Sequence, residues 1–180
     1  MIFEGIRAER EYGSVLRTVR EQQKARTKMP LLVTGLCEGA RAAFYAALAQ
    51  DLRRETGRGI FLLLSEEKET RRLTESLTSA GLRVLNCPAR DLVFHNITAS
   101  HDYEYERLSA MHAALYGDYD IALATPDAAL QFTVPPDLLR KMGLSLCVGE
   151  DYVLSELTAW LEGAGYLRAD LVDAPGQYSV

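Results

Sequence analysis

The sequence lacks the features that mark membrane, disulfide-bonded and metal-binding proteins. None of its 180 residues belongs to an apolar run near the roughly 18 residues of a membrane helix, and no such run follows a basic flank at the start, so we expect a cytoplasmic protein without membrane contact. Its three cysteines are far apart, which argues against a zinc site or disulfide framework. We expect all three to be buried as small apolar residues. The histidines form no metalloprotease pattern, so we predict no metal site.

Basic charge and proline are also scarce. The formal net charge is -5 and the sequence pI is about 5.3, whereas a protein that neutralises DNA phosphates over its whole surface would be basic. With 6 prolines and 48% hydrophobic residues, the chain can bury a full core. Composition therefore favours a folded protein, with one domain plus a small extra one.

Short apolar runs alternate with helix-forming stretches along most of the chain. Runs of this kind, bounded by glycine or proline, are typical of buried parallel strands. We expect four such strands, at residues 31–34, 60–64, 83–87 and 120–124. Apolar spacings of three and four predict intervening helices at residues 11–24, 39–54, 66–80 and 105–116. This alternation predicts an α/β fold with a parallel, doubly wound sheet.

The helix at 105–116 carries an apolar row at helical spacing: Leu108, Met111, Ala114 and Leu115.

Pro135-Pro136 marks a boundary in this pattern. Beyond it we predict a strand at 144–148, a helix over 154–164, a strand at 166–172 and a last strand that begins at Gln177. The prediction is an α/β domain over residues 1–143 and a small α+β domain over 144–180 that is incomplete at its end.

The turn after the first predicted strand lies where a P-loop would lie. A working P-loop, G-x-x-x-x-G-K-[ST], wraps backbone N–H groups around phosphates, while its lysine reaches the outer phosphates and its hydroxyl holds magnesium. Here the turn contains Gly35 and Gly39, and Glu38 occupies the place of the lysine, where a carboxylate repels a triphosphate. Arg41 is the candidate replacement cation, but it lies one helical turn deeper. We interpret the turn as a degenerate nucleotide loop and predict no catalytic residue.

Two other polar runs have structural interpretations. An acidic pair that holds magnesium would have to lie near the loop. The candidate pair, Glu150-Asp151, lies instead in the predicted small domain, where Asp151 suits a helix N-cap. Ser100-His101-Asp102 contains the residue types of a hydrolase triad, but triad members converge from separate chain segments. We expect this second run to begin a helix.

Eight short motifs together carry a resemblance to a known family. They are LVTGL at 32–36, GARA at 39–42, RDLVF at 90–94, SHD at 100–102, ERL at 106–108, TPDAALQ at 125–131, AGY at 164–166 and PGQYSV at 175–180. In this order they resemble the N-terminal region of the bacterial transcription-repair coupling factors (Mfd), which is itself similar to part of the excision-repair protein UvrB. UvrB has an intact P-loop and a long DNA-clamping hairpin, for which residues 88–106 are too short here, so the coupling factors fit better.

The resemblance implies a function in partner binding. In that family the UvrB-like region recruits UvrA through its small domain, whereas ATP, magnesium, RNA polymerase and DNA are bound by other domains, so no cofactor and no ATPase activity are implied here. By similarity Arg168 matches an arginine of the UvrA-contacting surface, and Tyr166 lies beside it. Trp160 is a further candidate because it is large and lies outside the apolar stripe of its helix. Two alternatives stay open: a UvrB-like DNA-binding module, and a nucleotide hydrolase that uses Arg41.

Overall fold

The computed structural model describes residues 2–89 and 102–180, with the side chains of residues 2, 3 and 102 left out. The helices of this part are α1 (Ile2–Ala8), α2 (Arg10–Ala25), α3 (Glu38–Thr56), α4 (Glu67–Ser79), α5 (Asp102–Tyr116), α6 (Pro126–Leu130), α7 (Pro136–Met142) and α8 (Leu154–Gly163). The strands are β1 (Ile60–Leu63), β2 (Val84–Cys87), β3 (Ile121–Ala124), β4 (Leu167–Arg168) and β5 (Gln177–Tyr178).

The first three strands form a parallel sheet in the order β1-β3-β2. The central strand β3 is paired on both sides, with Ile121 opposite Ile60 of β1 and opposite Val84 of β2. All four residues of β3 are buried. The parallel sheet predicted from the sequence is thus confirmed for these three strands.

Helices cover both faces of this sheet. On one face, Ala46 of α3 and Leu77 of α4 belong to a core cluster with Leu123 of β3. On the other face, Ala110 of α5 contacts the side of the sheet that carries Leu85 and Ala122. Successive strand residues point to opposite faces, so each strand supplies side chains to both layers. This arrangement is the α/β architecture that the alternating pattern predicts.

A buried carboxylate joins the first two helices to α3. The Asp51 carboxylate accepts hydrogen bonds from the Arg7 guanidinium (2.9 Å) and from the Tyr12 hydroxyl (2.6 Å), and Arg54 lies 2.6 Å from it. Burial disfavours the charge on Asp51, but the hydrogen bonds from Arg7 and Tyr12 outweigh it and hold the pKa of this carboxyl below its ordinary value. Burial and the hydrogen bond to Asp51 raise the pKa of Tyr12. Charge and packing together therefore fix α1 and α2 to the domain.

Two of the predicted strands are wrong. Residues 31–34 and 144–148 have no strand pairing, and they leave Leu32 86% exposed and Val148 fully exposed. The predicted strand at 166–172 shrinks to the two residues of β4, which pair in parallel with β5. An apolar run forms a strand only where a neighbouring backbone satisfies its N–H and C=O groups, and periodicity does not reveal that neighbour.

Several predicted side-chain positions are wrong for local reasons. Cys37 and Cys147 are exposed because they lie in or beside these unpaired segments, and Cys87 is half-buried at the end of β2. The N-cap residue of α8 is Val153 rather than Asp151.

The buried face of α5 also differs from its predicted apolar row. Leu108 is 44% exposed and Ala114 is exposed, whereas Arg107 is only 7% exposed. The Arg107 guanidinium donates to the backbone carbonyls of Pro88 (3.0 Å) and Ala128 (3.2 Å). These carbonyls replace water around the buried cation. A charged residue, which hydrophobicity alone would assign to the surface, is therefore buried here.

Candidate functional site

The degenerate loop leads directly into α3. The segment 31–37 contains Gly35, which has a positive φ of 81°, and it leads into the helix. The first two residues of this helix are Glu38 and Gly39. The structure thus brings the predicted loop residues to one helix start. Residues 31–34 are not paired with β1, β2 or β3, so no strand aims this turn at a ligand as a P-loop strand would.

Two ion pairs between α3 and α4 engage the charges at this helix start. Glu38 is paired with Arg72, and the Arg41 Nη1 atom lies 3.2 Å from the Glu69 Oε1 atom. These side chains are partly exposed, so each pair contributes at most about 1 kcal/mol to stability. Their importance is electrostatic: the carboxylate at the lysine position and the candidate substitute cation each face an opposite charge.

A shallow groove of about 380 Å³ lies between these helix starts. Its lining contains two carboxylates, Glu38 and Glu69, and two guanidinium groups, Arg41 and Arg72. A triphosphate site needs an excess of cationic groups or unpaired backbone N–H groups around the phosphates. The formal charge of this lining is balanced, so the groove has no electrostatic preference for an anion.

Within residues 2–89 and 102–180, no three metal-ligating side chains are grouped together, and no helix has the length and apolarity to cross a membrane. Glu150 accepts a hydrogen bond from the Tyr152 hydroxyl (2.8 Å) in the connection before α8. Of the run Ser100-His101-Asp102, the first two residues lie outside the described part, and Asp102 begins α5 as expected.

The predicted partner-binding residues lie on the unit formed by α8, the turn after it and β4, called here the α8–β4 unit. Tyr166, 39% exposed, precedes β4, and Arg168 is an exposed residue of that strand. Tyr166 and Arg168 are thus two exposed residues separated by one position in the sequence. Trp160 is half-buried on α8, which packs against β4. The structure places all three on one supersecondary unit.

A tyrosine that sequence reasoning missed braces this unit. The Tyr178 hydroxyl donates to the Glu162 carboxylate (2.7 Å), and this hydrogen bond, together with burial, raises the pKa of Tyr178. Tyr178 is 7% exposed and lies opposite Arg168 in the β4–β5 register. It therefore ties β5 to α8, and because paired residues of neighbouring strands face the same side of a sheet, the Tyr178 ring lies on the same side as Arg168. No spacing pattern in the sequence links Glu162 with Tyr178.

The structure shows an α/β fold, and the sequence relates this chain to a DNA-repair protein. It is homologous to the N-terminal part of the transcription-repair-coupling factor of Bacillus subtilis (strain 168), with 30% identity over 174 residues and 94% of this chain covered. The chain spans 14% of the length of that relative. No protein-family model matches the chain. The resemblance to the N-terminal region of the coupling factors (Mfd) is thereby confirmed.

Proposed function

We propose that this chain is a protein-docking module that recruits UvrA in transcription-coupled nucleotide excision repair and has no ATPase activity of its own. Homology to a transcription-repair-coupling factor supports the repair context. In this proposal, ATP-dependent DNA translocation and contact with RNA polymerase belong to other parts of the parent protein, and the chain needs no cofactor.

The observation that carries the proposal is the pairing of charges at the start of α3. Glu38 faces Arg72, and Arg41 faces Glu69 at 3.2 Å. For Arg41 to reach a phosphate it would have to leave Glu69, and the Glu38 carboxylate would still repel the nucleotide. This supports a partner-binding role in preference to hydrolysis.

The α8–β4 unit is the proposed UvrA-docking surface. Arginine, tyrosine and tryptophan are the residues most enriched at binding hot spots, and this unit presents Arg168, Tyr166 and Trp160. The hydrogen bond between Tyr178 and Glu162 holds β5 to α8 beside Arg168. A surface braced in this way loses little conformational entropy when a partner binds.

UvrA binding tests the docking surface. Arg168→Glu should weaken the affinity of the chain for purified UvrA about tenfold or more, as expected for a hot-spot arginine. Arg58→Glu is the matched control, because it makes the same charge change at an exposed position between α3 and β1. Isothermal titration of both variants measures the effect. Equal affinity of Arg168→Glu and the unchanged protein would contradict the proposed site.

Titration with magnesium ATP tests the passive role of the loop. We expect no saturable binding up to about 1 mM nucleotide. Saturable binding that is lost in Arg41→Ala would instead favour the nucleotide hydrolase interpretation. Glu38→Gln serves as a second variant, because it removes the repelling carboxylate while leaving Arg41 in place.

A further inference from the structure

A groove of about 480 Å³ lies beside the end of α2. One wall is a row of α2 residues from Val19 to Arg26, at spacings of three and four, which therefore share one face of the helix. The other wall consists of residues 27–29 and Leu31 in the segment that follows the helix. Val19 also packs against the core cluster that joins α2 to α3, so the groove is attached to the folded interior.

Backbone hydrogen bonds hold the start of the second wall against the helix. Arg26 caps α2 with a left-handed φ of 53°, and its N–H donates to the Gln23 carbonyl (3.2 Å). The Thr27 N–H donates to the Gln22 carbonyl (3.0 Å). These bonds engage carbonyls that a helix end leaves without partners, and they fix the direction in which the chain leaves α2. This part of the groove is therefore formed without a ligand.

The backbone at Arg26 is unusual for its residue type. Among the described residues, Arg26 is the one non-glycine residue with a positive φ. Glycine is the usual residue at a left-handed helix end, because a Cβ atom is strained there. The chain thus carries a guanidinium group where the turn itself favours glycine. The turn alone therefore does not explain the residue at this position.

The charged groups of the lining have one sign. They are Arg26 and Lys28, both exposed, and neither side chain has a hydrogen bond or an ion pair with any group in the described part of the chain. Lys24, in the last turn of α2, already provides a cation that complements the carbonyl end of the helix. Arg26 and Lys28 lie beyond that turn, and their charges are free to pair with an anion.

The carboxylates of the neighbouring elements do not cancel this charge. Glu55 of α3, which contacts α2, is paired with Arg20. Glu21 lies on the opposite side of α2 from the lining row, at 100° per residue. Glu11 precedes Val19 by more than two helical turns. The lining, all of which is described, contains no acidic residue, so the groove is cationic.

We propose that this groove binds an acidic peptide segment of a partner protein. An apolar side chain of the segment packs against Met29 and Leu31, which are 68% and 43% exposed, and removes their surface from water. Aspartate or glutamate residues beside that anchor pair with Arg26 and Lys28. A nucleic-acid backbone fits less well, because it offers phosphates but no anchor for the apolar wall, and the formal net charge of -5 repels it.

This groove is distinct from the proposed UvrA-docking surface. It is formed by α2 and the segment after it, whereas Trp160, Tyr166 and Arg168 lie on the α8–β4 unit. Arg168→Glu should leave the affinity for an acidic peptide unchanged. Because the peptide assay contains no UvrA, either proposal can fail without the other.

Selection of a displayed random peptide library on the whole 180-residue chain identifies the probe. We expect enriched peptides in which a leucine, methionine or aromatic residue is flanked by aspartate or glutamate. Fluorescence anisotropy of a fluorescein-labelled consensus peptide then measures the affinity. Replacement of its acidic residues by asparagine and glutamine should weaken binding about tenfold or more, and high salt should weaken it as well.

Two variants test the charge and the apolar wall separately. Lys28→Glu should weaken binding of the peptide about tenfold or more. Lys68→Glu is the matched control, because Lys68 is an exposed lysine of α4 outside the lining, and its affinity should be unchanged. Met29→Gln keeps the length of the side chain but makes its end polar, so it should weaken binding severalfold.

Arg26→Gly separates binding from folding. It removes the guanidinium group and relieves the left-handed strain, so the urea midpoint should stay the same or rise. The affinity for the peptide should nevertheless fall severalfold. Loss of binding in this variant is then not a consequence of unfolding.

The opposite outcomes are equally defined. Absence of enrichment, enrichment of peptides without acidic residues, or full affinity in both Lys28→Glu and Arg26→Gly overturns the proposal. A fluorescein-labelled DNA duplex that is released by Lys28→Glu but not by Lys68→Glu would assign the groove to nucleic acid instead. A dimer in sedimentation velocity that Lys28→Glu abolishes would assign it to a second copy of the chain.

Discussion

Residues 2–143 and residues 144–180 differ in what holds them together. The described part of the first region has buried core clusters on both faces of its sheet, and Leu77, Ile121 and Leu123 are completely buried there. In the second region, all of which is described, Tyr178 is the one side chain classed as buried. Yet this region carries almost half of the exposed large hydrophobic side chains found among the described residues. The first region is stabilised from within, and the second leaves its apolar surface to solvent.

The difference supports the proposal that the second region binds partners. Large exposed apolar patches on proteins often mark interaction sites. The second region keeps its shape through backbone pairing of β4 with β5 and through the hydrogen bond between Tyr178 and Glu162, neither of which consumes apolar surface. Its outward hydrophobic groups therefore remain free for interfaces.

The largest effect should come from truncating a core leucine of the first region, measured beside a half-buried leucine of the second region. Leu77→Ala removes a fully buried side chain beneath the sheet and should lower the free energy of unfolding by about 3 kcal/mol. Leu157→Ala, on the half-buried face of α8, should cost about 1 kcal/mol or less. Urea denaturation of both variants measures the difference. Equal losses would show that the two regions have comparable cores and would remove the contrast.

A smaller effect should come from the buried carboxylate of the first region. Asp51→Asn weakens the bonds to Arg7 and Tyr12 and should cost about 2 kcal/mol at pH 7, as for a hydrogen bond to a charged group. The folded-state pKa of Asp51 lies below its unfolded value of about 3.9, so the carboxylate stabilises the fold above that value and loses this effect as the pH falls through the folded-state pKa.

The difference in the free energy of unfolding between the unchanged protein and Asp51→Asn should therefore be constant near neutrality and decrease below about pH 4. Urea unfolding at several pH values provides the measurement. Glu55→Gln is the matched control, since Glu55 lies on the same helix and is paired with Arg20 at the surface. A difference that persists unchanged at pH 3 would show that Asp51 acts through packing rather than through its charge.

The smallest and most local effect should come from the brace of the second region. Tyr178→Phe keeps the buried ring and removes the hydroxyl that donates to Glu162. We expect faster hydrogen exchange at the backbone N–H groups of Leu167 and Ala169, which donate to Gly176 and Tyr178, with little change in the global unfolding midpoint. If exchange in α3 accelerates equally, the two regions unfold as one unit and the comparison fails.

The sequence predicted those elements in which pattern and burial agree. The helix α3 and the strands β1 and β3 were predictable, because alanine-rich or apolar runs followed by glycine, serine or proline signals specify these elements. The apolar runs at 31–34 and 144–148 carry the same local signal, but the backbone partners that a strand requires lie elsewhere in the chain, and neither run has them in this structure.

For the candidate sites, the sequence revealed the identity of single residues but not the contacts between them. The reversed charge at Glu38 is visible in the sequence, whereas its pairing with Arg72 depends on how α3 packs against α4. Burial of Arg107 was not predictable, because the carbonyl groups that accept its hydrogen bonds belong to Pro88 and Ala128, about twenty residues away on either side. Hydrophobicity alone assigns such a residue to the surface.

The central position of β3 determines when the three-stranded sheet can form during synthesis on the ribosome. Its neighbours β1 and β2 are synthesised first, yet each is hydrogen-bonded to β3 and not to the other. A nascent chain that ends before Ile121 therefore contains β1 and β2 but lacks β3, the strand with which both of them pair. The sheet cannot form at that stage, however long synthesis pauses. Closure of the sheet waits for contacts spanning about sixty residues from Ile60 to Ile121, which favours slow, all-at-once folding of this layer.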